Sequence, residues 1–392
     1  MGGTMVTLSN PEQMVQAIAD EIRRSAPEAE SARRLPDELF EKLLRAGLFS
    51  IYTPREFGGQ ALPLPDALRV VEEASRHDGS VGWTVALGFA NSGLTCMLPT
   101  ASAARVLGDG SVLIAGAPAF SVRAVRVDGG YRLTGRWPFN SGAPNASWIA
   151  PVVPIFDGDA PRMGEYGPET VGVFLPADDV QIVDVWHVTG LRASGTQDLV
   201  VEDLFVPDEM TGVFSLPAGP QPVRDCALVN IPFFSLLGIV QSPPVCLGIA
   251  RRALEEFGQI ARTKENPLGP RLSEQAQAHA GLAHAEALVR SARTYWYHNV
   301  EAIWEIAMSG RAPSLDERTD MRLASLTVVD NTVAAVDALY RLAGTTSIFQ
   351  SSPLERCWRD VHTAAQHFQV QQVRWETAGR VLLGLDPASP VL

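Results

Sequence analysis

Gly190-Leu-Arg-Ala-Ser-Gly-Thr-Gln-Asp-Leu-Val-Val-Glu-Asp-Leu-Phe-Val-Pro207 is the stretch on which the fold turns. Its second half, 198–206, is a run rich in Val, Leu and Phe that predicts a β-strand, and its first half is punctuated by glycine. The same texture extends upstream to about Ser111. Residues 122–127, the turn Asp128-Gly129-Gly130 and residues 131–134 predict a β-hairpin, with further strands at 148–155, 170–175 and 180–185. Outward on both sides the period changes from two to about 3.6. On the N-terminal side, 13–25, 37–46 and 65–76 repeat apolar residues at three- and four-residue spacing. On the C-terminal side, four long helical segments are expected at 233–263, 272–309, 316–344 and 353–383, with breaks near Asn266-Pro267, Gly310 and Thr345-Thr346.

The chain therefore reads as α+β, with an N-terminal α-helical domain (1–112), a central β-barrel or sandwich domain (113–226) and a C-terminal four-helix bundle (227–392). Its 392 residues carry 32 Lys+Arg against 44 Asp+Glu, a net charge of −12, which argues against nucleic-acid binding. With 46% hydrophobic and 19% charged residues, it can bury a large core. The most apolar window, 226–248, is interrupted by Asn230, Pro232, Gln241 and Ser242-Pro243-Pro244, so it reads as a buried helix rather than a membrane span. Cys96, Cys226, Cys246 and Cys357 are far apart and form no CxxC pair, so neither a metal site nor a disulfide framework is expected. No targeting segment is visible, and a cytoplasmic protein is expected.

Common chemical signatures are missing: no GxGxxG after a strand, no GxxxxGK[ST], no HExxH and no GxSxG. Longer strings are more informative. Pro54-Arg-Glu-Phe-Gly-Gly59, Asp78-Gly-Ser-Val-Gly-Trp83, Gly135-Arg-Trp-Pro-Phe-Asn-Ser-Gly142, the stretch 190–207 and Cys357-Trp-Arg-Asp360 occur in this order. Together with the helix–β–helix layout, they resemble the acyl-CoA dehydrogenase superfamily over nearly the whole chain. That resemblance implies an acyl-CoA dehydrogenase-like fold with a flavin between the β domain and the bundle, usually in a homotetramer.

Removing an α-proton from an acyl thioester requires a carboxylate base. In most of the family a glutamate follows the Arg-Asp of the last motif, and here Phe368 falls in its place. The alternative home of the base, on the first long bundle helix, is also empty, because 226–254 contains no Asp or Glu. The chain is similar instead to the two-component, reduced-flavin-dependent monooxygenases that hydroxylate phenols, aromatic polyketides and heteroaromatics.

This resemblance implies FMNH2 or FADH2 delivered by a separate NAD(P)H:flavin reductase, O2 as co-substrate and a C4a-hydroperoxide on the flavin. A dehydrogenase-like FAD enzyme and an N- or S-oxygenase are the alternatives. Ser141, in the Phe139-Asn140-Ser141-Gly142 turn, can offer a hydroxyl to the flavin ring, and an ordinary Ser-Gly turn is the competing reading. Trp137 and Phe139 either pack on the flavin or fill core. Arg192, Ser194 and Thr196 are candidate cofactor contacts, with an Arg192–Asp198 ion pair as the alternative.

Arg341 and Gly344, in Tyr340-Arg-Leu-Ala-Gly-Thr-Thr346, match the family segment that reaches a neighbouring subunit's cofactor. His367 matches the family's active-site histidine and can exchange a proton with a phenol near neutrality. Trp83, Phe233, Phe234, His362 and Phe368 are expected to line the substrate pocket, with Phe89 and Met97 as further apolar walls.

Overall fold

Several helices in this chain begin where proline or a capping side chain precedes an apolar period. Pro36 and Pro63 precede two of them, and Asp78 caps a third by accepting from the Ser80 and Val81 amides at 2.9 and 3.0 Å. The computed structural model describes residues 11–108, 110, 112–164, 167–213, 227–265, 269–389 and 392. The expected break at Asn266-Pro267, the Cys226 position and the 226/227 boundary fall wholly or partly outside these residues.

The N-terminal helices are α1 (Gln13–Gln16), α2 (Ala19–Ala32), α3 (Asp37–Arg45), α4 (Leu64–His77), α5 (Gly79–Leu94) and α6 (Thr100–Leu107). Helix α5 has no polar face: every residue from Gly79 to Gly93 is buried. A helix covered on all sides has no amphipathic period, which is why periodicity alone did not predict it.

The strands are β1 (Ile114–Ala115), β2 (Val122–Val127), β3 (Gly130–Asn140), β4 (Trp148–Ile149), β5 (Val152–Asp157), β6 (Ala160–Pro161), β7 (Met163–Gly164), β8 (Gly167–Pro168), β9 (Thr170–Val173), β10 (Leu175–Pro176), β11 (Gln181–Val183), β12 (Gln197–Pro207) and β13 (Thr211–Val213). The main sheet runs β11-β12-β3-β2-β5-β9-β13, with β6 added on β5, and β1-β4-β10 form a smaller sheet. The expected hairpin is β2–β3, closing with Val127 opposite Gly130 and Gly129 at φ +74°. Strand β12, the second half of the opening stretch, pairs along β3, so Gln197 lies opposite Asn140. That register brings the Arg192–Thr196 loop beside the Ser141-Gly142 turn.

The C-terminal helices are α7 (Phe233–Val240), α8 (Ser242–Thr263), α9 (Ala276–Met308), α10 (Leu315–Ala343), α11 (Pro353–Ala364) and α12 (Val373–Leu382). Two expected helices are each split, corrections that matter for the site. Gln241, at φ −99° and ψ −91°, breaks the first before Ser242-Pro243-Pro244. Turns over 365–372 break the last, and His367 sits in that break rather than on a helix. The stretch Phe233–Thr263 has the length and hydropathy (1.6) to cross a membrane, but 89% of its apolar window is buried in the core.

Helices α4 and α5 pack against α8 in one core that runs into the bundle. A Cβ at Gly248 would lie 2.1 Å from the Glu72 carbonyl oxygen, so this contact admits no side chain. The β domain has its own core around Trp137, Leu133, Val153 and Leu199. Cys246 and Cys357 are free and buried. Cys96 is disulfide-bonded, where the spacing of the cysteines suggests no disulfide framework. Sequence separation sets no lower limit on distance in the fold.

Candidate active site

Three elements meet around Trp83: helix α5, which carries it, the turn after β3, and the break between α11 and α12. The Trp83 indole N–H donates to Ser141 Oγ at 2.9 Å, and its ring stands edge-on to the His367 imidazole, with centroids 5.8 Å apart. The two residues expected to do the chemistry are thus joined through one side chain. The Phe368 ring also packs on His367, with centroids 4.7 Å apart.

Ser141 Oγ also lies 2.7 Å from Thr196 Oγ1, which in turn lies 2.7 Å from Ser194 Oγ. All three side chains are buried. Either oxygen of each pair can donate, so the polarity of the series can run toward Ser141 or away from it. In one sense Ser141 presents a proton to a ligand, and in the other a lone pair. The Gly142 amide donates to the Ser194 carbonyl at 2.7 Å and locks the two turns together.

The 190–195 loop is held from the bundle side. A Cβ at Gly190 would lie 2.2 Å from the Arg359 carbonyl oxygen, so the loop can sit against α11 only with glycine there. Asp360 accepts from the Leu191 amide at 2.6 Å, fixing a residue at φ +50°. Asp78 and Asp360 are neighbours and both buried. Burial pushes both carboxyls up, and for Asp360 the Asp78 charge adds to the effect. Glu30 faces Arg359 at 2.5 Å and Arg356 at 3.1 Å. Burial raises its pKa, but these guanidiniums outweigh that and hold it below the usual carboxylate range.

His367 Nδ1 is buried and has no hydrogen-bond partner among the described residues. Burial, with the Arg322 charge second, pushes the imidazole down to about 3, so it stands neutral at working pH. Neutral imidazole carries one lone pair and one N–H, so the ring can accept one hydrogen bond from a bound molecule and donate another.

Several expected residues lie elsewhere. Trp137 is fully buried in the β core and donates to Asn140 Oδ1 at 2.7 Å, while the Asn140 amide donates back to the Trp137 carbonyl. Both shape the turn from inside the sheet, so of its two readings Trp137 takes the core one, and Asn140, a further candidate cofactor contact, turns its side chain to the sheet as well. Phe139, in contrast, is 66% exposed at φ +65° and meets Trp186 edge-on at 6.5 Å. Arg192 does not pair with Asp198, which binds Arg136 at 2.6 Å. It faces Glu30 at 3.8 Å, and its Nε is buried and has no hydrogen-bond partner among the described residues.

His362 is removed from the pocket. Its Nε2 lies 2.9 Å from Asp337 Oδ1, and its ring lies against Trp358. Five positions after a helical residue, the segment has already left the helix, so His362 and His367 face different surroundings. Phe233 and Phe234 form a T-shaped pair, and Phe234 stacks on Phe120 at 6.2 Å, a residue the sequence reading missed. Phe89 is core, packed on Tyr52. Arg341 and Gly344 are exposed at the C-terminal end of α10 and do not join the cluster. Trp186 and Gln197 were also missed. The Gln197 side chain accepts from the Val185 and Trp186 amides at 2.8 and 3.2 Å, ordering the strand end that carries Trp186.

Buried hydroxyls, a guanidinium Nε without a partner among the described residues and an aromatic pair of exposed Phe139 and half-buried Trp186, set between a sheet end and a helical bundle, define an oxidoreductase scaffold for a planar polar cofactor such as flavin. The chain belongs to the acyl-CoA dehydrogenase family: the N-terminal domain model matches residues 11–102 and the C-terminal domain model residues 240–372. It is 30% identical over 376 residues to an indole-3-acetate monooxygenase of Pseudomonas putida, covering 95% of this chain and 94% of the relative. It is also 30% identical over 398 residues to the oxygenase component of an FADH2-dependent resorcinol hydroxylase from a Rhizobium species, with coverage of 95% and 94%. Among solved structures, XiaF from a Streptomyces species in complex with FADH2 and glycerol superposes with a TM-score of 0.89 at 26% identity, covering 97% of each chain.

Proposed function

We propose that the chain is the oxygenase component of a two-component monooxygenase that uses reduced flavin, FMNH2 or FADH2, and O2 to hydroxylate a small aromatic or heteroaromatic substrate. The observation that carries this reading is the Trp83 bridge between the buried hydroxyl series and a neutral His367, with Phe368 where a dehydrogenase would need its carboxylate. Relatives named as an indole-3-acetate monooxygenase and a resorcinol hydroxylase support it.

When bound, reduced flavin supplies the electrons that activate O2. The chain's residues do the rest. Ser141 holds a hydrogen bond to the ring edge, with Thr196 and Ser194 setting its polarity. His367 accepts the proton of a phenolic hydroxyl or ring N–H as oxygen is added to the ring carbon. Phe139 and Trp186 flank the turn and exclude water from it. Arg192 Nε offers a donor to a polar or anionic part of the cofactor.

The reductase is a separate protein in this reading, consistent with the missing nicotinamide fingerprint. Exposed Ile348 and Phe349, close to Arg341 and Gly344, support a homotetramer in which this end of α10 meets a neighbouring copy. The burial of the apolar stretch Phe233–Thr263 in the core supports a cytoplasmic enzyme. The test supplies anaerobically reduced flavin, then air, with resorcinol as substrate. Hydroxylated product is expected. Bleaching of the oxidised flavoprotein by an acyl-CoA, without oxygenated product, overturns the reading.

A further inference from the structure

Buried polar side-chain atoms in folded proteins almost always have partners, so a concentration of exceptions marks a place where something else supplies them. Ten such atoms lack a partner among the described residues, and five belong to four residues around the α11–α12 break: Ser235 Oγ, Gln241 Oε1, His367 Nδ1, and both Gln369 Oε1 and Nε2. Gln369 is the sharpest case. Its side chain has no solvent exposure, and neither end of its amide is satisfied, so the amide cannot be rescued by exchanging oxygen and nitrogen.

These residues converge from separate elements. Arg322 of α10 donates to the Gln369 carbonyl at 2.6 Å and lies against α7, where a Cβ at Gly238 would come within 2.8 Å of its Nη1. Ser235, Gly238 and Arg322 line one small cavity. Gln241 ends α7, and the next residue, Ser242, donates to the Ala364 carbonyl at 2.9 Å, tying that end to the start of the break. Arg374 donates to the Phe368 carbonyl at 3.0 Å and fixes the break from the other side. Gln369 therefore sits on held backbone directly after Phe368 and two positions from His367, and Arg322 links it to the cavity that Ser235 lines.

Resting on the function proposed above, we infer that this pocket selects a neutral aromatic substrate with a second hydrogen-bonding group besides the one facing His367, and that Gln369, supported by Ser235 and Gln241, is the specificity-determining residue. A free amide oxygen and a free amide N–H2 together require a partner that both donates and accepts. A hydroxyl or a ring N–H beside a carbonyl meets that requirement. A carboxylate leaves the amide oxygen unpaired, and a plain arene or thioether leaves both ends unpaired.

The experiment compares resorcinol with phenol on the full-length protein, by calorimetric binding without flavin and by kcat/KM with reduced flavin. Wild type is expected to favour resorcinol by about tenfold or more in both, and Gln369→Leu to narrow that ratio to about threefold or less. Ser235→Ala should narrow it in the same direction, which covers a Gln369→Leu protein that fails to fold. Equal binding of the two phenols by wild type overturns the inference, as does a ratio that both variants leave unchanged. Selective binding of resorcinol with no oxygenation of either phenol would instead overturn the proposed function and leave the inference standing.

Discussion

The Trp83 indole N–H donates to Ser141 Oγ at 2.9 Å while the same ring stands edge-on to His367, so one side chain sets the position of both. Trp83→Phe keeps an aromatic wall and removes the donor. Ser141 is then held by Thr196 alone and can rotate out of its bonding geometry. Product formed per flavin oxidised is expected to fall by about tenfold, with the balance released as H2O2, a loss in the range of one catalytic hydrogen bond. Peroxide and product quantified in the same reaction check this.

His367 enters the reaction neutral, because burial holds its imidazole at about 3. Between pH 6 and 8 the dependence of kcat/KM should show no ionisation of this group, and any pH effect in that range belongs to the substrate. His367→Asn should lower hydroxylation of a phenol by about 10²- to 10⁴-fold, the usual contribution of a general base. The same residue makes a stability prediction. Its folded pKa lies below the unfolded value of about 6.5, so the unfolded chain binds more protons between the two. Wild type should lose stability relative to His367→Asn as pH falls from about 6.5 toward 3, measured by urea unfolding at each pH.

The Asp78–Asp360 pair gives the opposite sign. Both carboxyls are raised, so above the ordinary aspartate value of about 4 the folded state holds a proton that the unfolded state has released. This contribution to stability is therefore largest in acid and declines as pH rises toward neutrality. Asp360→Asn should flatten that decline while its amide oxygen still accepts from Leu191. Asp360→Ala leaves the buried Leu191 amide unpaired and should cost about 1–3 kcal/mol. Chemical denaturation of both variants across pH 4–8 separates the two effects.

Gly190→Ala places a methyl group 2.2 Å from the Arg359 carbonyl oxygen. The loop must move off α11, and Ser194 and Thr196 move with it. A loss of about 1–3 kcal/mol in stability is expected, the usual cost of overpacking, together with weaker binding of reduced flavin in an anaerobic titration.

Much of this arrangement is legible in the sequence, and the part that is not has physical causes. The hairpin around Gly129, the strand 198–206 and the long bundle helices follow from period and turn chemistry, and Ser141, Thr196 and His367 lie on strings with family counterparts. Helix α5 was invisible to periodicity because it is buried all round, although it carries the residue that joins the site. The break over 365–372 has no proline or glycine to announce it, so His367 reads from the sequence as part of one helix over 353–383. Trp137 and Asn140 sat in the right motif but face the sheet interior, a distinction that strand alternation could have suggested only with the β3–β12 register in hand. Gln369 could not have been singled out, since a glutamine becomes informative only when both ends of its amide are found buried without partners.

The central claim is that this chain adds oxygen from O2 to an aromatic ring. The most direct measurement is a single turnover with anaerobically reduced flavin, resorcinol and ¹⁸O2, followed by mass spectrometry of the product. One ¹⁸O atom is expected in each molecule of hydroxylated product, lost with Ser141→Ala and His367→Asn as H2O2 takes its place. Product oxygen derived from water, or no oxygenated product at wild-type flavin turnover, would contradict it.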